Sequence, residues 1–272
     1  MIQVFTFCAL PSLRGLAASN PIDRQVRLPT ARVELQSIVA ADPNVRAASI
    51  VDMSGQVIYA TDSTVNEIWS ERVFVQQALR GQLHASVPVR EFGEVSQYYS
   101  APLLNNAREV AGAVVLRIAV QDMWAALDNQ SDMWLVDENG VRIADTSAKP
   151  QTFVALEPLN ANTMSTIYRT KLYGPEITQI RSTNFPDLAV AVRRRSTPVT
   201  WQDAQGQVIH AAMERLKTNS WTVIAFASED SIFAAVNDAL VLQILIALVS
   251  AIVAACAVLW GRSISSSNEK DG

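Results

Sequence analysis

Apolar and polar residues alternate in short blocks along most of the chain, and one long apolar run closes it. Two of the blocks are related. The stretch Asp52-Met-Ser-Gly55-Gln-Val-Ile58-Tyr-Ala-Thr61 recurs as Asp137-Glu-Asn-Gly140-Val-Arg-Ile143-Ala-Asp-Thr146, each matched residue displaced by 85. Both copies read D-x-x-G-x-x-I-x-x-T, and each follows a strand-like run, Ala48–Val51 and Met133–Val136. Aspartate bonds its own backbone two residues on and glycine takes a positive φ, which is hairpin chemistry. Two such hairpins a domain's length apart predict two related units in tandem. Asp203 to Ile209 predicts a third hairpin inside the second unit.

In the first unit, Ile68 to Arg80 has Phe74 and Ala78, then Val75 and Leu79, at helical spacing, with Gly81 as a stop. Three strands are predicted after it, at His84–Arg90, Val95–Leu103 and Gly112–Val120, and then a helix at Gln121–Asn129. The order describes a five-stranded antiparallel sheet with a helix on one face, a PAS-like arrangement. The second unit opens at Asp132. An irregular section from Pro150 to Pro186 is expected to wrap its sheet, with strands at Leu188–Arg193, Pro198–Asp203, Val208–Leu216 and Trp221–Phe226 and a helix at Glu229–Asp238. Before the first unit, Ala31 to Ala41 reads as a helix, with Pro29 near its start and Pro43 after its end.

The closing run, Ala239 to Trp260, is 22 residues without a charge, and twelve of them are Leu, Ile or Val. As a helix it spans roughly 33 Å, enough for a hydrocarbon core, and those twelve residues favour insertion by on the order of 5 kcal/mol. Trp260 and Arg262 stand where interfacial residues belong. Arg262, the charge nearest the span, places the tail 261–272 in the cytoplasm and the preceding chain outside it. The amino terminus has an apolar run, Ile2 to Leu10, too short to span, which reads as a poor signal peptide or, preferably, the stub of a longer segment. The expected organisation is thus a stub at 1–29, subdomains at 30–130 and 131–238, a transmembrane helix at 239–260 and a cytoplasmic tail at 261–272.

Composition narrows the chemistry. The 272 residues carry 22 Lys and Arg against 26 Asp and Glu, and the one dense basic run is Arg193–Arg195, which reads as a solvated strand end. Such a chain is not a nucleic-acid binder. Two cysteines, Cys8 and Cys256, and two histidines, His84 and His210, are too few for a zinc site or a disulfide framework. No cofactor and no metal is expected. The chain also lacks G-x-S-x-G, a P-loop and a dinucleotide fingerprint, so no enzyme is expected.

The residues that carry these elements resemble the double Cache extracytoplasmic sensor domains of bacterial and archaeal receptors. The likeness covers roughly residues 30 to 260. It rests on I-V-D-M-S-G-Q-V-I-Y-A-T-D, R-V-F-V-Q-Q-A-L-R-G at 72–81, S-A-P-L at 100–103, G-A-V-V-L-R-I at 112–118, W-L-V-D-E-N-G at 134–140 and S-W-T-V-I-A at 220–225. The resemblance implies an α+β fold of two tandem PAS-like antiparallel-sheet subdomains with an N-terminal helix and a C-terminal transmembrane helix. It also implies a small-molecule pocket in the membrane-distal unit, homodimerisation, and an output kinase, chemoreceptor or cyclase module that this chain lacks. The chain departs from the pattern at its first span, at Pro29, which should interrupt the long helix, and after residue 260, where a HAMP linker often begins.

Candidate ligand chemistry follows from strand alternation. Arg117 shares a face with Ala113, Val115 and Ala119, and a charge in an apolar strand costs several kcal/mol unless paired. It either grips a carboxylate bidentately or pairs with a carboxylate such as Glu71 or Glu94. By resemblance to the R-P-Y-F-Q-x-A-L-x-G stretch of carboxylate-sensing relatives, Arg72 contacts ligand, with Val73 and Phe74 in place of Pro and Tyr. The alternative is a solvated residue at a helix start with some structural pairing. Tyr98 or Tyr99 supplies the missing hydroxyl or simply packs, and Trp69 caps the pocket. His84 and His210 read as strand surface, and Trp134 and Trp221 as core. The function expected is a membrane-anchored extracytoplasmic small-molecule sensor, for an organic acid in particular. The other reading is a passive surface or assembly module without a ligand.

Overall fold

The computed structural model describes residues 21–62, 68–120, 132–147, 150–194, 199–202, 206–216 and 220–233, together with Gln243. The chain divides into two compact units, one of Met1–Thr197 with Ala212–Ala225, the other of Pro198–Ala211 with Phe226–Gly272.

The first unit opens with helix α1, Pro21–Ala41, which runs through Pro29 rather than starting after it. A proline costs one i→i−4 bond, yet the helix persists because Ala31 and Leu35 are fully buried against the first sheet. Packing therefore overrides local propensity here. That sheet contains β1 Val45–Asp52, β2 Val57–Ala60, β3 His84–Ala85, β4 Val89–Glu91, β5 Glu94–Leu104 and β6 Val110–Ala119. Its order is β2-β1-β6-β5-β3, with β4 also on β5, and these ladders are antiparallel. Six strands form where five were expected because the 84–90 segment splits on either side of Pro88, which has no N–H to give to the ladder.

The two faces of β6 separate as alternation requires. Val114, Leu116 and Ile118 pack with Ala31 and Leu35 of α1. Ala113 and Val115 pack with Phe74, Val75 and Ala78 of helix α2, Val73–Leu79, on the other face.

The second sheet in this unit carries β7 Asp132–Val136, β8 Val141–Asp145 and β9 Val154–Ala155, beside β12 Thr222–Ser228. The section 150–186 is not wholly irregular. It holds β9 and helix α3, Ala161–Thr170, whose first turn is capped by Asn160 accepting from the Thr163 N–H at 2.9 Å. Leu188–Arg193, expected as a strand, lies in helix α4, Pro186–Arg194. Pro186 opens that helix, Asp187 lies in its first turn and Arg193 and Arg194 in its last, as the helix dipole favours. The second core gathers Val141, Ile143, Phe153, Ile167 and Tyr173, and Val95 and Val120 from the first sheet join it.

In the other unit, β10 Val199–Gln202 pairs antiparallel with Val208–Ala211 of β11, Val208–Arg215, and Trp201 meets Phe226 at 6.1 Å. Residues 229–233 are helical. The expected helix 121–129, residues 1–20 of the amino-terminal stub, Asp203, Arg195, the tail 261–272 and, apart from Gln243, the expected span 239–260 lie outside the described residues, whereas residues 21–29 of the stub belong to α1. Among the described residues no helix is long and apolar enough to cross a membrane.

Candidate functional site

The repeated hairpins fix the frame of each sheet. The Asp52 carboxylate accepts from the N–H groups of Ser54 and Gln56 at 2.9 and 3.1 Å, and Asp137 accepts from Asn139 and Val141 at 2.9 Å each. The Thr61 hydroxyl accepts from the Ala48 N–H at 2.9 Å, as Thr146 does from Met133. Both hairpins of the sequence repeat are therefore held by the same bonds. Their surroundings differ, because Asp137 is buried and takes the Tyr173 hydroxyl at 2.5 Å. Burial raises the Asp137 carboxyl above the ordinary carboxylate range against these hydrogen bonds.

On the α2 face of the first sheet, Trp69, Phe74 and Tyr98 form an aromatic cluster. Phe74 stacks on Tyr98 at 4.6 Å, and Trp69 meets them edge-on at 5.8 and 6.0 Å. Arg72, the residue before α2, is buried rather than solvated. Its guanidinium lies over the rings of Phe74 and Tyr98 at 5.3 and 5.7 Å, and its Nη2 is 2.7 Å from Glu91 Oε2. The Tyr98 hydroxyl donates to the same oxygen at 2.6 Å. Burial, followed by the Glu91 charge and hydrogen bond, pushes the Tyr98 phenol well above its ordinary range. Glu91, which sequence reasoning missed, thus joins Arg72 to Tyr98, and the strand pairing of β4 with β5 brings it there.

Arg117 opposes Tyr98 across the β5–β6 ladder and Ala47 across the β1–β6 ladder. It is 8 % exposed. Its Nη2 lies 3.2 Å from Asp62 and 3.9 Å from Glu94, so Glu94 of the two expected partners is present but Asp62 is nearer. Glu71 pairs with Arg169 instead, at 3.0 Å. The Arg117 Nε and Nη1 are buried and without a hydrogen-bond partner among the described residues. The Phe92 ring covers the guanidinium at 4.6 Å from the two-residue turn between β4 and β5. Phe92 and Gly93 both hold positive φ there, 56° and 74°, which suits glycine and strains phenylalanine by about 1–2 kcal/mol. Ala47, Ser49, Trp69, Tyr98, Val115 and Arg117 enclose a cavity of about 10 Å³, room for roughly one water.

The structure thus brings Trp69, Arg72, Phe74, Tyr98 and Arg117 to one face. Tyr99 points to the other, donating to the Gln97 side chain at 2.8 Å, and burial raises its phenol. Tyr99 and Phe74 instead line a larger cleft of about 610 Å³ between the first sheet and the turn at Glu138, the end of α3 and Trp221. His84 lines it too, half-buried, with its imidazole held below the ordinary range by burial. Trp134 is core as expected, whereas Trp221 is only partly buried. Among the described residues no group of His, Cys, Asp and Glu could hold a metal ion.

β4 and the turn after it meet the loop that follows α3. The Arg90 N–H donates to the Tyr173 carbonyl at 2.8 Å, and the Gly93 N–H to Glu176 at 2.9 Å. Gly174, at φ 102°, lies so close to the Arg90 carbonyl that a Cβ would stand 2.0 Å from its oxygen.

No family model matches the chain, and no curated protein matches it significantly. Solved structures do. The sensor domain of the Vibrio cholerae histidine kinase DctB is 13% identical with a TM-score of 0.61, covering 83% of this chain and 91% of that one. The periplasmic domain of RsbU from Chlamydia trachomatis is 11% identical with a TM-score of 0.54, covering 75% and 76%. The sensory domain of the Campylobacter jejuni chemoreceptor Tlp3, with isoleucine bound, is 12% identical with a TM-score of 0.51, covering 83% and 80%. The chain has the α+β, antiparallel-sheet fold of these domains.

Proposed function

We propose that the chain is the extracytoplasmic sensing part of a membrane-anchored receptor, and that its first sheet binds a small carboxylate through Arg117. In this reading residues 30–130 and 131–238 are tandem PAS-like subdomains, 239–260 is the anchor and 261–272 the cytoplasmic tail. Signal leaves through a homodimer and a kinase, chemoreceptor or cyclase module supplied by another chain or domain. The neighbours named above support it, since one is a kinase sensor domain and another a chemoreceptor domain holding an amino acid.

One observation carries the ligand class. Arg117 keeps two buried guanidinium nitrogens without partners beside a cavity walled by Trp69 and Tyr98. A buried donor left unpaired costs about 1–3 kcal/mol, and a carboxylate accepts from a guanidinium fork in a single bidentate contact. The cavity as it stands is too small for any metabolite, so binding requires Phe92 and Asp62 to move from the guanidinium. That requirement couples occupancy to a second arrangement of the β4–β5 turn, and β4 and this turn are tied to Tyr173 and Glu176 of the loop after α3.

A thermal-shift panel of organic acids and amino acids on the full chain in detergent tests the reading. Specific stabilisation by a carboxylate, growing with the logarithm of its concentration, is the expected result. It should vanish in Arg117→Ala and in Arg117→Lys, the second of which keeps the charge for Asp62 but loses the fork. No response across the panel supports the passive module instead.

A further inference from the structure

The cleft of about 610 Å³ is a second receptacle, separate from the Arg117 cavity and within the usual size range of ligand sites. Its floor is β3 with Gln97 and Tyr99 of β5 and the start of α2, and its far wall is the end of α3, Trp221 and the turn that carries Glu138. Most of the polar groups on the floor are already engaged. Tyr99 donates to Gln97, Gln97 donates to the Ser86 carbonyl at 2.7 Å, and the Ser86 hydroxyl donates to the Val87 carbonyl at 2.6 Å. His84 is held neutral at neutral pH by burial. Glu138 is different: it makes no hydrogen bond or ion pair among the described residues.

The repeat shows that the turn does not need this acid. The residue displaced by 85 from Glu138 is Met53, in a turn held by the same Asp and Gly bonds. An unpaired carboxylate on the rim of a cleft lined by Tyr99, Leu172 and Trp221 is the complement of a cation carried on an apolar body. We infer that this cleft binds a primary ammonium group attached to an apolar or aromatic skeleton, with Glu138 holding the ammonium. The ammonium can belong to a simple amine or to a free amino acid.

Phenethylamine, phenylalanine and phenylacetate share one ring and differ only in charge, so they are the probes. Calorimetric melting of the full chain in detergent, at fixed pH near neutrality, should show stabilisation by phenethylamine, by phenylalanine or by both. At roughly 100-fold excess over the dissociation constant the melting temperature should rise by about 5 °C. In Glu138→Gln, which preserves the shape of an exposed turn residue, the rise should fall by more than half. Phenylalanine acting where phenethylamine does not assigns the site to amino acids, and the reverse assigns it to amines. The inference is overturned if neither ammonium compound stabilises the chain, if phenylacetate does so equally well, or if Glu138→Gln responds like the parent. The Arg117 variants read the carboxylate site independently, so either site can fail without the other.

Discussion

Arg72 and Glu91 meet at 2.7 Å with both side chains almost wholly buried, and the Tyr98 hydroxyl shares the glutamate oxygen. Desolvating two charges costs several kcal/mol, which the ion pair and its hydrogen bonds offset only while all are present. Arg72→Met alone and Glu91→Leu alone should each lose about 3–5 kcal/mol, because each strands a buried partner. The double variant should lose less than either. A double-mutant cycle from urea unfolding measures this, and simple additivity would contradict it.

The two repeat turns provide a matched comparison. Gly55 and Gly140 hold nearly the same φ, 83° and 76°, so alanine is strained in both by about 1 kcal/mol. Their surroundings differ. A Cβ on Gly55 would stand 2.6 Å from the backbone of Ser70, whereas nothing lies within 4 Å of one on Gly140. Gly140→Ala should therefore cost about 1 kcal/mol and Gly55→Ala about 3 kcal/mol or more. Equal losses in denaturant unfolding would show that the clash with Ser70 relaxes freely.

That comparison also marks how far the sequence could be read. The D-x-x-G-x-x-I-x-x-T repeat was legible because its bonds are local: an aspartate to its own turn, a threonine across one hairpin. The face of β6 that holds Arg117 followed from alternation alone. Of the long-range partners only Glu94 was named for Arg117; the nearer ones left no trace, since Glu91 is 19 residues from Arg72 and Asp62 is 55 from Arg117. Helix α4 was misread for another reason. Ala189-Val-Ala-Val192 alternates like a strand, but Pro186, Asp187 and the closing arginines were helix-end signals that should have prevailed. Pro29 erred the opposite way, as packing of Ala31 and Leu35 outweighs one missing hydrogen bond.

His84 sets a pH dependence. Burial lowers its pKa below 6.5, so between that folded value and 6.5 the unfolded chain takes up a proton that the folded chain refuses. Stability contributed at and above pH 6.5 is therefore lost as pH falls through this window. The Glu138 and Lys171 side chains line the same cleft. Urea midpoints of the parent and His84→Gln, compared from about pH 7.5 to 5, should converge toward acid. Parallel curves would mean that the imidazole is effectively solvated.

Asp62 and a ligand carboxylate compete for one guanidinium. The Asp62 oxygen sits 3.2 Å from Arg117 Nη2, and its side chain is 24 % exposed, so water screens part of the attraction. An internal carboxylate that must leave before a ligand arrives lowers the competent fraction and hence the apparent affinity. Asp62→Asn keeps the size of the side chain but weakens its hold. It should raise the affinity for whichever of acetate, lactate and succinate binds the parent by about 3–10-fold, corresponding to a pair worth about 0.7–1.4 kcal/mol. Arg117→Lys should lose binding whether or not Asp62 is present. If calorimetric titration instead finds weaker binding in Asp62→Asn, the aspartate orients Arg117 for its ligand and does not compete with it.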